Sequence, residues 1–338
     1  MQSVAYELAR CHVCGSAETK QVAGIDEVRA EMEALWSFHT RRVDPGTPPE
    51  RLLDRAAFSE PPPVRVVQCR SCGLVYRNPQ ERAHELREIY ESGEGMERAV
   101  LEALYHNQRR SYRAQARRLT RVAGAPGTGL EVGSYVGGFL GAARERGWRF
   151  EGVDVNEEAA AFARGHGHQV TVGTIDAIPA GRRYDAVAIW NCLDQLADPR
   201  QVVRRARALL APHGVVAIRV PNGEAYARWR GSAAQRGGGV ARAVLAHNNL
   251  LTFPYRYGFT LRSLTRLLRD AGLGLVRVHG DTLVPVADRH TRGWAWLEER
   301  MVKGALRLAR RLRVIPATAV PWLEVYARPV GEPTTPGR

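Results

Sequence analysis

Two groups of residues carry chemistry in their types and spacing. The first is a turn, Leu130-Glu131-Val132-Gly133-Ser134-Tyr135-Val136-Gly137-Gly138-Phe139-Leu140, leading from an apolar strand segment into a helical one. Glycines in such a turn let the backbone bend sharply and approach a ligand. A carboxylate at the end of the following strand can accept both hydroxyl hydrogens of a ribose. Asp154, near the end of the strand segment Phe150 to Val155, is placed to be that acid. The second group is four of the five cysteines, in Cys11-His12-Val13-Cys14-Gly15 and Cys69-Arg70-Ser71-Cys72-Gly73. A two-residue gap lets both thiolates face one cation. Four thiolates make a closed tetrahedral zinc site, structural because no position remains for water. His12, between two of these ligands, is expected to face solvent.

The turn also discriminates between cofactors. A dinucleotide needs G-x-G-x-x-G, because the second glycine admits the pyrophosphate. Tyr135 stands at that position and disfavours a diphosphate. S-adenosyl-L-methionine carries an adenosine and no phosphate, so it does not need that approach. Glu131 would add negative charge near its cationic end. The turn therefore argues against NAD and tolerates S-adenosyl-L-methionine, while the four cysteines point to Zn2+ as a structural ion.

These residues must be positioned by alternating strands and helices. Leu130 to Gly133, Phe150 to Val155, Val170 to Val172, Tyr184 to Asn191 and Val215 to Val220 read as strands. Phe139 to Arg146, Glu157 to Gly165 and Pro199 to Leu210 read as helices between them. This βαβ alternation gives a Rossmann-like, doubly wound, mostly parallel α/β sheet, with ligands at the carboxyl ends of its strands. The expected organisation is a zinc-ribbon-like module at 1–80, a helical linker at 81–126, a catalytic-type domain at 127–330 and a tail at 331–338. The module carries a helical insertion, Asp26 to Thr40, then a proline-rich stretch and a strand at Val64 to Gln68. The linker is expected to break at Ser92 to Gly95, and its second half carries Arg109, Arg110, Arg113, Arg117, Arg118 and Arg121 on a solvated face.

The chain has 338 residues, 44% of them hydrophobic, enough for one large α/β core and a smaller unit. No apolar run approaches the roughly 20 residues that span a bilayer. The start, MQSVAYELARC, lacks a secretory pattern, so the expected location is cytoplasmic. The net charge is +14, mostly from arginine, and admits an anionic substrate, a nucleic acid or an anionic membrane surface as partner. Residues 291–313 form an amphipathic helix. Trp294, Leu297, Met301, Ala305, Leu308 and Leu312 lie on one side, and seven Arg/Lys outweigh two Glu. Its apolar stripe is expected to pack on the domain as an insertion, with peripheral membrane contact as the other reading.

Together the motifs resemble the class I S-adenosylmethionine-dependent methyltransferases that carry an N-terminal zinc-binding C-x-x-C segment. The resemblance runs from the C-x-x-C-G knuckles and Cys72-Gly73-Leu74-Val75-Tyr76-Arg77-Asn78-Pro79 through LEVGSYVGGFL, GVDVNEEAAAFA and YDAVAIWN. It continues through Leu193-Asp194-Gln195-Leu196-Ala197-Asp198-Pro199, GVVAIRVPN and FTLRSLTRLLRDAG. It implies a seven-stranded sheet closed by an antiparallel strand, which Trp322 to Arg328 suits. It implies a first cofactor loop of Glu131, Gly133, Ser134 and Gly137 around the methionine part. Asp154 would bind the ribose and Val155 the adenine. Thr174, Ile175 and Asp176 would border the adenine edge, with Asn191 and Cys192 beside the sulfonium. Many members have Glu-His where this chain has Asp194-Gln195, which leaves the catalytic base open.

The expected function is methylation of a small molecule or a saccharide or natural-product intermediate, on oxygen. Asp194 and His247 are the catalytic candidates, with Tyr255 and Tyr257 nearby in the loops. His247 reads as a loop residue on the substrate side. The alternatives are an RNA methyltransferase gripping phosphates through the zinc module and arginines, and a non-catalytic S-adenosylmethionine-binding module. RNA is the less favoured partner, because no aromatic-and-basic RNA-binding signature is present.

Overall fold

The strand YDAVAIW explains the layering. Its Val187 and Ile189 point into one apolar cluster with Val203, Ala206, Leu264 and Leu267. Its Ala186, Ala188 and Trp190 point into another with Ala116, Leu119, Phe139 and Ala142. A strand that buries both faces sits in the middle of a sheet covered by helices on each side. The computed structural model describes residues 6–47, 64–82, 84–85, 97–233, 238–248, 250, 256–283 and 290–330. The segments 1–5 and 331–338, the linker break at 92–95, most of the proline-rich stretch, Asn249 and Tyr255 lie outside the described residues.

In chain order the N-terminal part comprises β1 (Tyr6–Glu7), β2 (Thr19–Ala23), α1 (Ile25–Thr40), β3 (Arg65–Cys69), β4 (Val75–Asn78) and β5 (Gln80–Glu81), followed by the long helix α2 (Arg98–Ala123). The α/β part runs β6 (Thr128–Val132), α3 (Gly138–Arg144), β7 (Arg149–Asp154), α4 (Glu157–Gly165), β8 (Val170–Val172), β9 (Tyr184–Trp190), α5 (Pro199–Ala208) and β10 (Leu210–Pro221). There follow α6 (Gly223–Ala233), α7 (Gly239–His247), β11 (Tyr257–Gly258), α8 (Leu261–Arg269), β12 (Leu273–Asp281), α9 (Gly293–Arg311) and β13 (Trp322–Pro329).

The main sheet has seven strands in the order β12-β13-β10-β9-β6-β7-β8. β8, β7, β6, β9 and β10 pair in parallel, and β13 inserts antiparallel between β10 and β12. The fold is the expected Rossmann-like α/β architecture, closed by the strand at Trp322. Helix starts follow local chemistry. Asn156 Oδ1 accepts from the Ala159 amide at 2.8 Å to open α4, and Asp198, followed by Pro199, accepts from the amides of Arg200 and Gln201 to open α5.

A second sheet has the order β11-β4-β3-β2. Three of its strands come from the first 80 residues, and β11 comes from the far side of the α/β part. The apolar cluster is continuous across this junction, joining Val67, Leu74 and Tyr76 to Leu130, Ile189 and Leu264. No helix among the described residues is long and apolar enough to cross a membrane.

Helix α9 departs from expectation. Ala295, Glu299, Lys303 and Leu306 are its buried residues, whereas Trp294, Leu297, Met301, Leu308 and Leu312 are exposed. The buried face is ionic because its charges find partners. Lys303 Nζ lies 2.5 Å from Glu299, Arg42 Nη2 donates to the Ala295 carbonyl at 2.5 Å, and Arg42 also pairs with Glu298. In α1, likewise, Val28 and Phe38 are buried while Trp36 is exposed.

Candidate active site

The turn after β6 is built on left-handed backbone. Gly133, Tyr135 and Gly137 have φ of 73°, 47° and 77°. Gly133 is the position where only glycine fits: a Cβ there would lie 2.6 Å from Cys192 Sγ. The turn is stitched to the next strand. Gly133 and Ser134 amides donate to the Val153 carbonyl, and the Tyr135 amide donates to Asp154 Oδ2 at 2.7 Å. The Asn156 amide takes Asp154 Oδ1 at 3.0 Å. Burial raises the Asp154 carboxyl, and the Val155 amide also lowers it. A carboxylate has about four lone-pair directions, so little more than one remains for a ligand.

Three acids gather round the end of the parallel strands. Glu131 and Asp194 are almost completely buried and Asp154 nearly so. Burial, with the neighbouring Asp154 charge, pushes the Glu131 carboxyl well above its usual range. Burial pushes the Asp194 carboxyl up to about 7, against the pull of its own amide and of Arg219. Burial raises the Cys192 thiol, and the charges of Asp154, Asp194 and Glu131 raise it further. A thiol so raised stays protonated and makes a poor nucleophile.

Several buried polar atoms here lack a hydrogen-bond partner among the described residues: Glu131 Oε2, Ser134 Oγ and both Asp194 carboxylate oxygens. Orphaned buried acceptors are costly unless a ligand completes them. An acceptor-rich, acidic recess fits a cationic, amine-bearing, adenosine-containing group better than it fits a diphosphate. On that ground the residues present fit S-adenosylmethionine.

The other candidates are placed as follows. Asn191 follows β9 with φ of 53°. Its Nδ2 donates to the Tyr112 hydroxyl at 3.1 Å, and its Oδ1 accepts from Arg219 Nη1 at 2.6 Å. The loop after β8 is brought back to Asp154 by the Gly173 amide, which donates to the Asp154 carbonyl at 2.8 Å. Within it Ile175 is buried and Thr174 and Asp176 are exposed, with Asp176 accepting from Gln201 Nε2. Val155 is half-buried beside Asp154.

His247 lies elsewhere. It is the buried last residue of α7 rather than a loop residue, edge-on to the Phe38 ring at 5.0 Å, with Nε2 3.7 Å from Glu298. Burial, then Arg42 and Lys303, lowers its pKa to about 3. Tyr257 is buried with its hydroxyl donating to the Ala197 carbonyl.

Two residues of this region were not among the expected ones. Arg219 is 1% exposed, stacks on Trp322 at 4.5 Å and donates to the Thr282 carbonyl. Its signal was available, as a lone arginine within the apolar strand GVVAIRVPN. Tyr112 had no such signal, because it reaches Asn191 from α2, far away in the chain. Three of the six α2 arginines make contacts within the chain: Arg109 and Arg113 converge on Glu145, and Arg118 forks onto Glu324.

The four knuckle cysteines come together. Cys11, Cys14, Cys69 and Cys72 have sulfur atoms all within 4.8 Å of one another. Gly15 and Gly73 adopt φ of 74° and 82°, closing each knuckle with an amide donating to the carbonyl of Cys11 or Cys69. The arrangement is compatible with a metal ion. His12 is not part of it and does not face solvent: it is half-buried against the Tyr257 ring, 5.1 Å away.

Residues 105–278 match a family model described as a methyltransferase domain. No curated protein matches the chain. Among solved structures, the plantazolicin methyltransferase BamL, in complex with a triazolic desmethylPZN analog and SAH, is 15% identical, with a TM-score of 0.45. The alignment covers 73% of this chain and 96% of that one. The 1,6-didemethyltoxoflavin-N1-methyltransferase of Burkholderia thailandensis is 18% identical over 79% of this chain and 96% of that one, with a TM-score of 0.45. A SAM dependent methyltransferase from Archaeoglobus fulgidus is 16% identical over 65% and 93%, with a TM-score of 0.41.

Proposed function

We propose that this chain, which belongs to the S-adenosylmethionine-dependent methyltransferase family, methylates a hydroxyl group of a small-molecule, saccharide or natural-product acceptor. The observation that carries the proposal is the set of buried acids Glu131, Asp154 and Asp194 at the carboxyl end of the parallel strands, with buried oxygens of Glu131 and Asp194 left without a partner among the described residues.

When bound, S-adenosylmethionine supplies an electrophilic methyl group, and the protein supplies position and electrostatics. Glu131, Gly133, Ser134 and Gly137 would hold its methionine part, Asp154 and Val155 its ribose and adenine. Thr174, Ile175 and Asp176 would border the adenine edge, and Asn191 and Cys192 would line the sulfonium side. Asp194 accepts the proton that an acceptor hydroxyl gives up as its oxygen gains the methyl group. A carboxylate with its pKa raised to about 7 suits that task near neutral pH. His247, with its pKa lowered to about 3 and packed against Phe38, has no part in this reading. Cys11, Cys14, Cys69 and Cys72 would hold Zn2+ as a structural crosslink.

Small acceptors are favoured over RNA because many arginines are engaged within the chain, with Glu145, Glu324, Glu151 and Glu31 as partners. Calorimetry with S-adenosylmethionine and S-adenosylhomocysteine tests the cofactor: wild type binds both and Asp154→Ala binds at least about tenfold more weakly, as expected for loss of a charged acceptor. Equal binding by the variant overturns the assignment. Transfer of labelled methyl to a panel of hydroxylated small molecules and saccharides, with RNA beside them, tests the acceptor. Exclusive labelling of RNA overturns the small-molecule reading.

A further inference from the structure

Helix α9 is amphipathic in an inverted sense. Its inward face carries the Glu299–Lys303 pair between Ala295 and Leu306, and its apolar stripe is turned out. Trp294, Leu297, Met301, Leu308 and Leu312 are 49%, 53%, 65%, 56% and 65% exposed, and Val314 extends the row at 73%. Steps of three, four and seven residues place the four helical ones, and the cap residue Leu312, on one side of the cylinder. Beside them runs a second row, Arg300, Arg307 and Arg311, also exposed. Arg300 lies over the Trp296 ring at 4.5 Å, and Arg307 reaches Asp281 at 3.4 Å.

The helix cannot roll to hide the stripe. Rotation would break the Arg42 bond to the Ala295 carbonyl and expose the buried Glu299–Lys303 pair, both anchored on the inner face. A contiguous apolar strip of this size on a surface marks a site that something covers.

We infer that the outer face of α9 docks the protein on an anionic lipid bilayer. The stripe would enter the acyl boundary and the arginine row would meet lipid phosphates. Charge selects this occupant. An antiparallel second copy on the same face would bring arginine row against arginine row, and a parallel one would press two chains of net charge +14 together. A nucleic acid would satisfy the arginines and leave the tryptophan, leucines and methionine wet. An anionic bilayer satisfies both rows at once, because guanidinium groups reach the headgroups while apolar side chains sit below them. The inference stands apart from the methyl-transfer reading, since it uses no residue of the acidic recess.

The test is co-sedimentation of the full chain with phosphatidylcholine vesicles, with and without about one third phosphatidylglycerol, at low and high salt. The expected result is binding to the anionic vesicles that weakens with salt, and little binding to phosphatidylcholine alone. The double variants Leu297→Ser/Met301→Ser and Arg300→Gln/Arg311→Gln should each bind about tenfold or more weakly. Because these side chains are exposed, both variants should keep the wild-type melting temperature and cofactor affinity, which separates lost docking from lost folding. Absence of binding at low salt, or variants that bind as wild type does, overturns the inference. So does a dimer in sedimentation velocity that dissolves in Leu297→Ser/Met301→Ser while vesicles remain unbound, because the stripe would then belong to a second copy.

Discussion

The Asn191 side-chain amide donates to the Tyr112 hydroxyl at 3.1 Å, joining the helix before the sheet to the residue that follows its central strand. Asn191 is held in left-handed backbone, and Arg219 takes its other side-chain atom. This residue is therefore oriented from both sides, by α2 and by β10. Tyr112→Phe removes one of the two restraints. The expected effect is a loss of about 1 kcal/mol, seen as cofactor affinity lowered about fivefold and a melting temperature lower by a few degrees. Unchanged affinity in calorimetry would mean that Tyr112 does not position Asn191 for binding.

Asp194 links activity and stability to pH in opposite directions. Its carboxyl rises from 3.8 to about 7 on folding, chiefly through burial. Between those values the native state binds more protons than the unfolded chain, so this group's contribution to stability is present at low pH and is lost as pH climbs towards 7. As proton acceptor it must be ionised, so activity should fall as pH drops below about 7. Asp194→Asn should stabilise the protein at pH 8, on the order of a few kcal/mol, and lower turnover by roughly 10²–10⁴-fold. Chemical denaturation across pH and a pH–rate profile check the two halves. An acid limb that persists unchanged in the variant assigns the proton acceptor to another group.

Gly133→Ala tests the turn. The new Cβ meets Cys192 Sγ at 2.6 Å, and the backbone sits at φ of 73°. The expected destabilisation is about 1–3 kcal/mol. Adding Cys192→Ala removes the Sγ contact and leaves the Cβ contact at 3.0 Å and the backbone strain, so the double variant should regain part of the loss in urea melts. No recovery would show that the Sγ contact does not limit the position.

The cysteine cluster should contain zinc in amounts stoichiometric with the chain, and its removal should reach the active site. β11 pairs with β4 of the knuckle sheet, and the amides of Arg256 and Tyr257 donate to the Asp194 carbonyl. A chelator, or Cys72→Ser, is expected to lower the melting temperature and reduce turnover more than cofactor affinity. Metal analysis beside thermal scans measures this. A metal-free protein with an ordinary melting temperature rules out a structural ion.

Much of the fold and of the acidic recess was legible in the order of residues because the forces involved are local. An alternating or continuous apolar run makes a strand such as Tyr184–Trp190, and Asp198-Pro199 starts a helix. A C-x-x-C-G knuckle brings its own two thiolates together, and Glu131 and Asp154 lie on neighbouring strands whose pairing follows from βαβ handedness, with Gly133 in the turn after the first. What lay beyond reach came from partners distant in the chain. Periodicity identified two faces of α9 and pointed to the apolar one as buried; the structure buries the other, because the choice turned on Arg42 meeting Ala295 and Glu298 from elsewhere. The same holds for His247, which closes a helix under Phe38, and for β11, which completes a sheet begun by the knuckles. The sequence by itself determined the strands, the turns and the chemistry gathered at their ends. The tertiary structure alone decided which helix face meets water, since burial of a charged face depends on long-range partners that satisfy it.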